Sequence, residues 1–371
     1  MGYSSLQNTT GRIDWVDYAK GVCIIFVVMM HSTLGVEKAA GSIGWMHYVM
    51  QFAQPFRMPD FFLISGLFLA SVINRPWPRY FDRKVIHFFY FYVLWMTIQF
   101  VLKTPTWLGE GQTPVEIGQN FLLAFVQPFG TLWFIYILPV FFVLTRLLER
   151  FDWRIVFVAA AALEILPVHT GAVIIDELAA RYIYFFAGYK LAPSIFRLAA
   201  WAMDNSLKAM FALLAWALFN GALVFTKIAD WVPVPHDMLG LAAPEYWAGY
   251  PGISLLLGGL GAIAVILFSA LLSRFSVTGF LRYLGAHSIV IYLAFFFPMA
   301  VSRIILLKFA PSLDIGTVSL IVTISGVLGA MMLFWATQLI GYGKFLFSRP
   351  NWALTDRNEA KQARPALQAA E

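Results

Sequence analysis

Residues 18–36 read YAKGVCIIFVVMMHSTLGV, and this stretch decides the fold class. Its apolar run from Gly21 to Met30 is continuous and is flanked by Lys20 and His31. Continuous apolar runs are typical of membrane-spanning helices, whereas the strands of a membrane barrel alternate apolar and polar residues. The stretch therefore predicts that the chain crosses a membrane as an α-helix.

The composition extends this prediction to the whole chain. Of its 371 residues, 60% are apolar and 12% are charged, against about 25% charged residues in a soluble domain. We predict an all-α, polytopic membrane protein, with an apolar segment at 115–129 that is too short to span and is either interfacial or re-entrant. About ten spans are expected, near residues 18–36, 48–73, 84–103, 131–149, 154–169, 178–192, 207–227, 251–273, 284–308 and 315–342.

The basic residues predict the orientation of these spans. With a cytoplasmic N-terminus, 19 of the 26 Lys and Arg residues fall on the cytoplasmic side, as the positive-inside rule requires. Both termini are then cytoplasmic, and the net charge of +6 reflects topology rather than nucleic-acid binding. We expect a transmembrane domain over 1–350, a disordered tail over 351–371, and no cleavable signal peptide.

Metal and disulfide chemistry are not expected. Cys23 is the only cysteine, and the histidines are scattered without the spacing of a metal site. The sequence contains no G-x-S-x-G, H-E-x-x-H or Walker A motif.

Ionisable residues inside predicted spans are the candidates for function, because each is costly in a bilayer unless it is paired or hydrated. Eleven residues of helix place His31 about 16 Å from Lys20 along the axis. One interpretation is a lysine that extends to the membrane surface and a histidine bonded in the core. The other is that His31 transfers protons, since its ordinary pKa lies near neutrality.

The second predicted span contains QFAQPFRMPDFFLISG at 51–66. Arg57 and Asp60 have the i, i+3 spacing of an ion pair on one helix face. Pro55 and Pro59 each lack a backbone donor and predict a kink. Either the pair braces two helices, or Asp60 orients His31 while Arg57 binds Asp60 or an anionic intermediate.

A basic and aromatic loop, RPWPRYFDRK at 75–84, follows this span. Its charge is explained either by the positive-inside rule or by binding of a phosphorylated, ring-bearing ligand. Weaker candidates lie at or near the predicted outer half. Either Glu164 and Arg303 pair with other residues around an outer-leaflet cavity, or Arg181 and Arg303 only extend to the membrane surface. The full weaker set is Glu164, Asp176, Glu177, Arg181 and Arg303.

Five motifs together resemble the membrane acyltransferase 3 family. Lys20 to His31 is similar to its [RK]-x10-H motif, and FRMPDFFLISG at 56–66 is similar to the segment that follows. The basic run 79–84, TLWFIYIL at 131–138 and YLGAHSIVIYL at 283–293 resemble further motifs in the same order. The late segment departs from the family, because Ala294, Phe295 and Phe296 stand where many members have a histidine.

The resemblance implies an O-acyltransferase in the bacterial cytoplasmic (inner) membrane. It would transfer an acyl group, acetyl or another short acyl, from cytoplasmic acyl-CoA to a hydroxyl of a surface or periplasmic glycan or lipid-linked saccharide. Implied donor contacts are Lys20, Arg79, Arg83 and Lys84. His31 would be the catalytic residue, as general base or transient acyl carrier, with Arg57 and Asp60 beside it; membrane lipid is the other expected partner.

Two further functions remain open on the sequence. A proton-coupled transporter or flippase would use Arg57, Asp60 and His31 as a relay. A scaffold would gain nothing from buried ionisable residues. Only the enzyme requires a phosphate site at the cytoplasmic face.

Overall fold

The computed structural model describes residues 13–234, 243–275 and 278–353, and these ranges contain no β-strand. The expectations for residues 1–12 and for the tail beyond 353 lie outside the described residues. Sixteen α-helices are numbered here in chain order: α1 Asp14–Ala40, α2 Met46–Ala53, α3 Arg57–Gly66, α4 Trp77–Phe81, α5 His87–Gly109, α6 Pro114–Leu123, α7 Trp133–Leu148, α8 Trp153–Ile165, α9 Val173–Lys190, α10 Ala192–Asp204, α11 Ser206–Phe225, α12 Ile253–Leu272, α13 Gly279–Ala286, α14 Ser288–Ala294, α15 Phe296–Phe309 and α16 Ile315–Ile340.

Within the described residues, six segments are long and apolar enough to cross a membrane, and α14 and α15, bent by 54°, make a seventh if they form one span. The six segments are Asp14–Ala40, Trp77–Gly109, Gly130–Leu148, Ser206–Phe225, Ile253–Leu272 and Ile315–Ile340. The prediction of an all-helical, multi-pass membrane protein is confirmed. The remaining predicted spans coincide with shorter or broken helices, namely α2–α3, α8 and α9.

The chain divides into two compact units. Unit one comprises Met1–Phe68, Asp152–Val168 and Ala179–Leu333, and unit two comprises Leu69–Phe151, His169–Leu178 and Phe334–Glu371.

Helix α1 lies at the centre of unit one. It packs against α2, α3, α12, α13, α14 and α15. Buried residues occur all around the helix, from Trp15 to Glu37, as expected for a helix surrounded by protein rather than lipid. Its closest neighbour is α13: a Cβ atom at Gly285 would lie 1.6 Å from the Asp17 carbonyl oxygen. Only glycine permits this backbone contact.

Two helix breaks interrupt unit one. The first separates α2 from α3 at residues 54–56, where Pro55 removes a donor and Pro59 follows in the first turn of α3. This confirms the predicted kink. The second is the bend between α14 and α15 at Phe295. Broken helices are tolerated at membrane depth only where protein or a water-filled cavity surrounds them.

Unit two is built on α5 and α7, which pack together. A π-helical turn, Asp82–Ile86, joins α4 to α5. The short apolar segment forms α6, whose start is capped reciprocally by Thr113 and Glu116. At its other end, Tyr136 donates a 2.9 Å hydrogen bond to the Phe125 carbonyl.

Candidate functional site

His31 belongs to α1 and lies near one residue of each helix break in unit one. Its ring packs against Phe295, with ring centroids 5.5 Å apart, at the bend between α14 and α15. Arg57, the first residue of α3, lies within electrostatic reach of His31. The next residue on α1, Ser32, accepts a 3.0 Å hydrogen bond from the Thr323 hydroxyl of α16. A partly exposed imidazole is therefore held where two helices are interrupted.

Arg57 follows the first break directly, and the charged group nearest to it in electrostatic effect is a second arginine rather than a carboxylate. Its guanidinium lies within electrostatic reach of Arg181 on α9 as well as of His31. Its Nε atom is buried and has no hydrogen-bond partner among the described residues. Such an arrangement favours an anionic group close to His31, either a substrate group or developing negative charge.

The expected ion pair between Arg57 and Asp60 is wrong: neither carboxylate oxygen of Asp60 has a hydrogen-bond partner in residues 13–234, 243–275 or 278–353. Asp60 is 1% exposed and lies within electrostatic reach of Cys23 and Tyr184. The i, i+3 spacing does not produce the pair, and Arg57 stands at the helix start, where the position of a side chain is less determined by its helix face than in the helix interior. The relay expected for a transporter thus lacks a hydrogen-bonded link at Asp60.

Lys20 lies near the other end of α1 and is about one-third exposed. Its Nζ atom lies 3.5 Å from Asp17 Oδ1, one turn earlier. Asp17 is itself buried. The lysine is thus placed by a weak contact within its own helix, which leaves its ammonium able to bind a second anion.

The basic residues of unit two surround aromatic rings. Lys84 Nζ lies 4.4 Å from the centroid of the Phe142 ring. Arg146 of α7 lies 4.0 Å from the Trp77 ring and 4.5 Å from the Tyr80 ring. One nitrogen of Arg146, Nη1, is buried without a partner among the described residues. Arg79, Arg83 and Lys84 lie at or beside the π-helical turn, and Arg146 is a cation that the sequence did not single out.

A buried ion pair fixes this π-helical turn. Arg349 Nη2 donates to Asp82 Oδ1 at 2.7 Å and Nη1 donates to the Asp82 carbonyl at 3.1 Å. The segment before Arg349 is bound to α5, where Tyr90 donates to the Phe345 carbonyl and Trp95 to the Leu346 carbonyl. Sequence reasoning missed this pair, because 267 residues separate its members. It stabilises the backbone that carries Arg83 and Lys84.

Glu164, Arg181 and Tyr184 line one polar cavity of unit one. Tyr184 donates to Glu164 Oε1 at 3.4 Å, and Gly258 leaves room for it, since a Cβ atom there would lie 2.3 Å from the tyrosine oxygen. The expected cavity around Glu164 is thus present. Arg303 donates to the Gly35 carbonyl at 3.2 Å and is not among the residues that line this cavity.

Comparisons with known proteins identify the family of this chain. A family model described as an acyltransferase domain, that of the acyltransferase 3 family, matches residues 13–337. The chain is also similar to "Inner membrane protein YcfT" of Escherichia coli (strain K12), with 25% identity over 159 residues. That match covers 37% of this chain and 44% of the relative. No solved structure matches.

The matched region includes α1 and the helices that pack on it. Three of the resembling segments meet at α1: Phe56 packs against Phe26 with centroids 5.8 Å apart, and Gly285 lies against the α1 backbone. The family match covers far more than half of the sequence. The chain belongs to the acyltransferase 3 family of membrane acyltransferases.

Proposed function

We propose that this protein is an O-acyltransferase of the inner membrane that moves a short acyl group, acetyl or similar, from acyl-CoA to a hydroxyl of a surface or periplasmic glycan. The observation that supports this most directly is the position of His31, a partly exposed imidazole between two helix breaks with Arg57 in electrostatic reach. The inner-membrane location of the E. coli relative supports the compartment.

In the proposed reaction, the acceptor hydroxyl oxygen attacks the thioester carbonyl carbon. His31 accepts the hydroxyl proton as general base. The carbon–sulfur bond then breaks, and CoA leaves as a thiol after it receives a proton from the imidazolium. Arg57 stabilises the negative charge that develops on the carbonyl oxygen. Transient acylation of His31 itself is the alternative route.

We further propose ten spans with both termini in the cytoplasm. The additional spans are the bent α14–α15 pair and three shorter elements, α2–α3, α8 and α9. The basic residues then lie mainly on the cytoplasmic side. Lys20 lies at the cytoplasmic end of α1 and His31 in its outer half.

We assign the phosphate groups of acyl-CoA to a set of basic residues, because cationic side chains bind phosphate. In unit two, Arg79, Arg83 and Lys84 border a surface that also presents Trp77, and Arg146 is stacked on that ring. Guanidinium groups bind phosphate in two-point contacts, and aromatic rings suit an adenine base. Lys20 of unit one is assigned to the donor by the family motif alone.

His31→Ala tests the proposal most directly. We expect acylation of the glycan to be lost, with the protein inserted and folded as in the wild type, because no base remains beside the acceptor hydroxyl. The measurement is mass spectrometry of surface glycans and lipids from a deletion strain that carries either the wild-type or the variant chain. The same spectra identify the acyl group and the acceptor.

His47→Gln is the matched control, since His47 is a histidine of unit one that pairs with Glu37 at 3.0 Å. It should keep wild-type acylation. Normal glycan acylation by His31→Ala would exclude the mechanism.

A further inference from the structure

The polar cavity of unit one differs in kind from an ordinary ligand pocket. Its volume is about 280 Å³, at the lower end of the range for small-molecule sites. Most of its lining residues have side chains that form hydrogen bonds, among them Gln51, Gln54, Glu164, Arg181, Tyr184 and Ser254. Most small-molecule pockets are lined by apolar residues. A wall of this composition favours a small ligand with many hydroxyl groups.

The second cavity of unit one provides the contrast. It is larger, about 960 Å³, and its wall consists mainly of aromatic and aliphatic side chains, among them Phe26, Phe52, Leu214 and Phe268. Such a wall suits hydrocarbon, as expected of a groove within a membrane. The two cavities therefore select different chemistry, and only the smaller one suits a sugar.

Glu164 provides the polar cavity with a carboxylate oxygen that accepts no hydrogen bond from any described residue. Its Oε1 atom accepts the Tyr184 hydroxyl at 3.4 Å, and Ser254 lies close to the same carboxylate. Its Oε2 atom is buried and has no partner among the described residues. A buried carboxylate oxygen without a donor is costly, and a ligand hydroxyl would remove that cost.

The cavity is connected to the proposed catalytic residue through the first helix break. Pro55, in the break, lines the cavity. Arg57, two residues further on, lies within electrostatic reach of both Arg181 in the cavity wall and His31. One residue, Arg57, is therefore within electrostatic reach of both the cavity wall and the group proposed to take up the proton.

We propose that this cavity is the acceptor subsite and binds one uncharged sugar ring, with a ring hydroxyl donating to Glu164 Oε2. Glu164 is a binding residue in this scheme and Tyr184 a positioning residue. Arg181 balances Glu164, and Glu245 in the same wall is paired with Lys227, so the wall favours a neutral sugar over an anionic one. This inference rests on the proposed function, whose donor chemistry it leaves unchanged.

The test is a binding measurement that needs no acyl transfer. The full-length protein in detergent is titrated with methyl β-D-glucopyranoside, and binding is followed by saturation-transfer difference NMR. We expect binding to the wild type, a loss of affinity of at least about tenfold in Glu164→Gln, and a smaller loss in Tyr184→Phe. Glu110→Gln, an exposed glutamate outside the cavity wall, should bind as the wild type does.

Size-exclusion chromatography of each variant separates loss of binding from loss of folding. No signal from the wild type, or an equal signal from Glu164→Gln, would overturn the assignment. Stronger binding of methyl β-D-glucuronide would overturn the preference for a neutral sugar. If the sugar binds but acyl-CoA yields no acylated product, the proposed function fails while the sugar site stands.

Discussion

Asp60 in unit one and Asp82 in unit two are both buried, with 1% and 3% of their surface exposed, yet their surroundings are opposite. Asp82 forms an ion pair with Arg349 through a 2.7 Å hydrogen bond. Asp60 accepts no hydrogen bond from any described residue. The pair in unit two is costly to break, because removing one partner leaves the other charge buried and unpaired. The Asp60 carboxylate has no partner to lose, and its burial already costs stability. The comparison indicates a structural role for Asp82, and for Asp60 we propose a functional one.

Arg349→Met should have the largest effect on stability. It leaves the Asp82 carboxylate buried without its cation, which costs about 3–5 kcal/mol. We expect a large fall in the melting temperature in detergent, measured by tryptophan fluorescence at a fixed heating rate, and weaker use of acyl-CoA because the π-helical turn loosens.

The double variant Asp82→Asn/Arg349→Met sharpens this test. With both charges removed, much of the lost stability should return. A double variant no more stable than Arg349→Met would mean that the pair itself contributes little, and that Arg349 acts through its bonds to the backbone.

Asp60→Asn should have the opposite profile. The melting temperature should stay the same or rise, since an unpaired carboxyl becomes a neutral amide of similar shape. Glycan acylation, measured by mass spectrometry, should fall about 100-fold if the Asp60 carboxyl takes part in proton transfer. Full activity in this variant would show that no charge is needed at this position and would break the comparison.

The sequence predicted the parts of the site that depend on local spacing. The helix that carries Lys20 and His31 follows from a continuous apolar run, and the break before Arg57 follows from Pro55 and Pro59, because proline removes a backbone donor in any context. Asp60 was singled out correctly as buried, since a charge inside an apolar segment must be surrounded by protein.

The parts that depend on distant contacts were not predictable. Arg349 lies 267 residues from Asp82, and nothing in either local sequence indicates the other. The error in pairing Arg57 with Asp60 has a related cause. Spacing defines which residues share a helix face, but at the first residue of a helix the side chain can be directed away from that face.

Asp176→Asn should have the smallest effect on stability. Asp176 differs from both buried aspartates, because its carboxylate lies at the surface and accepts hydrogen bonds from backbone N–H groups. Asp176 accepts the backbone N–H groups of Thr170 at 2.7 Å and of Gly171 at 3.1 Å. The hydrogen bond from the Thr170 backbone lowers the pKa of this carboxyl despite slight desolvation. Because the site is at the surface, we expect a loss below about 1 kcal/mol, as for a helix cap.

The pH dependence of this loss follows from the lowered pKa. A carboxyl whose pKa is lowered on folding stabilises the fold above its unfolded pKa of about 3.9, and this contribution disappears as the pH falls through the folded pKa. The difference in melting temperature between wild type and Asp176→Asn should therefore be complete at pH 7 and shrink below about pH 4. A difference that does not change with pH would show that the charge of Asp176 is irrelevant.

The backbone contact between Gly285 and α1 has a consequence for biosynthesis. The two glycines at this contact, Gly21 and Gly285, are synthesised 285 − 21 = 264 residues apart, which at 5–20 residues per second takes on the order of 10 to 50 seconds. Throughout that interval the first helix is already made, but the helix that closes on it does not yet exist. A bulky residue at Gly285 would therefore leave ribosomal synthesis and insertion of the first helix untouched and block the packing of α13 on α1, so the defect would be seen as a full-length chain that is inserted but not completely packed.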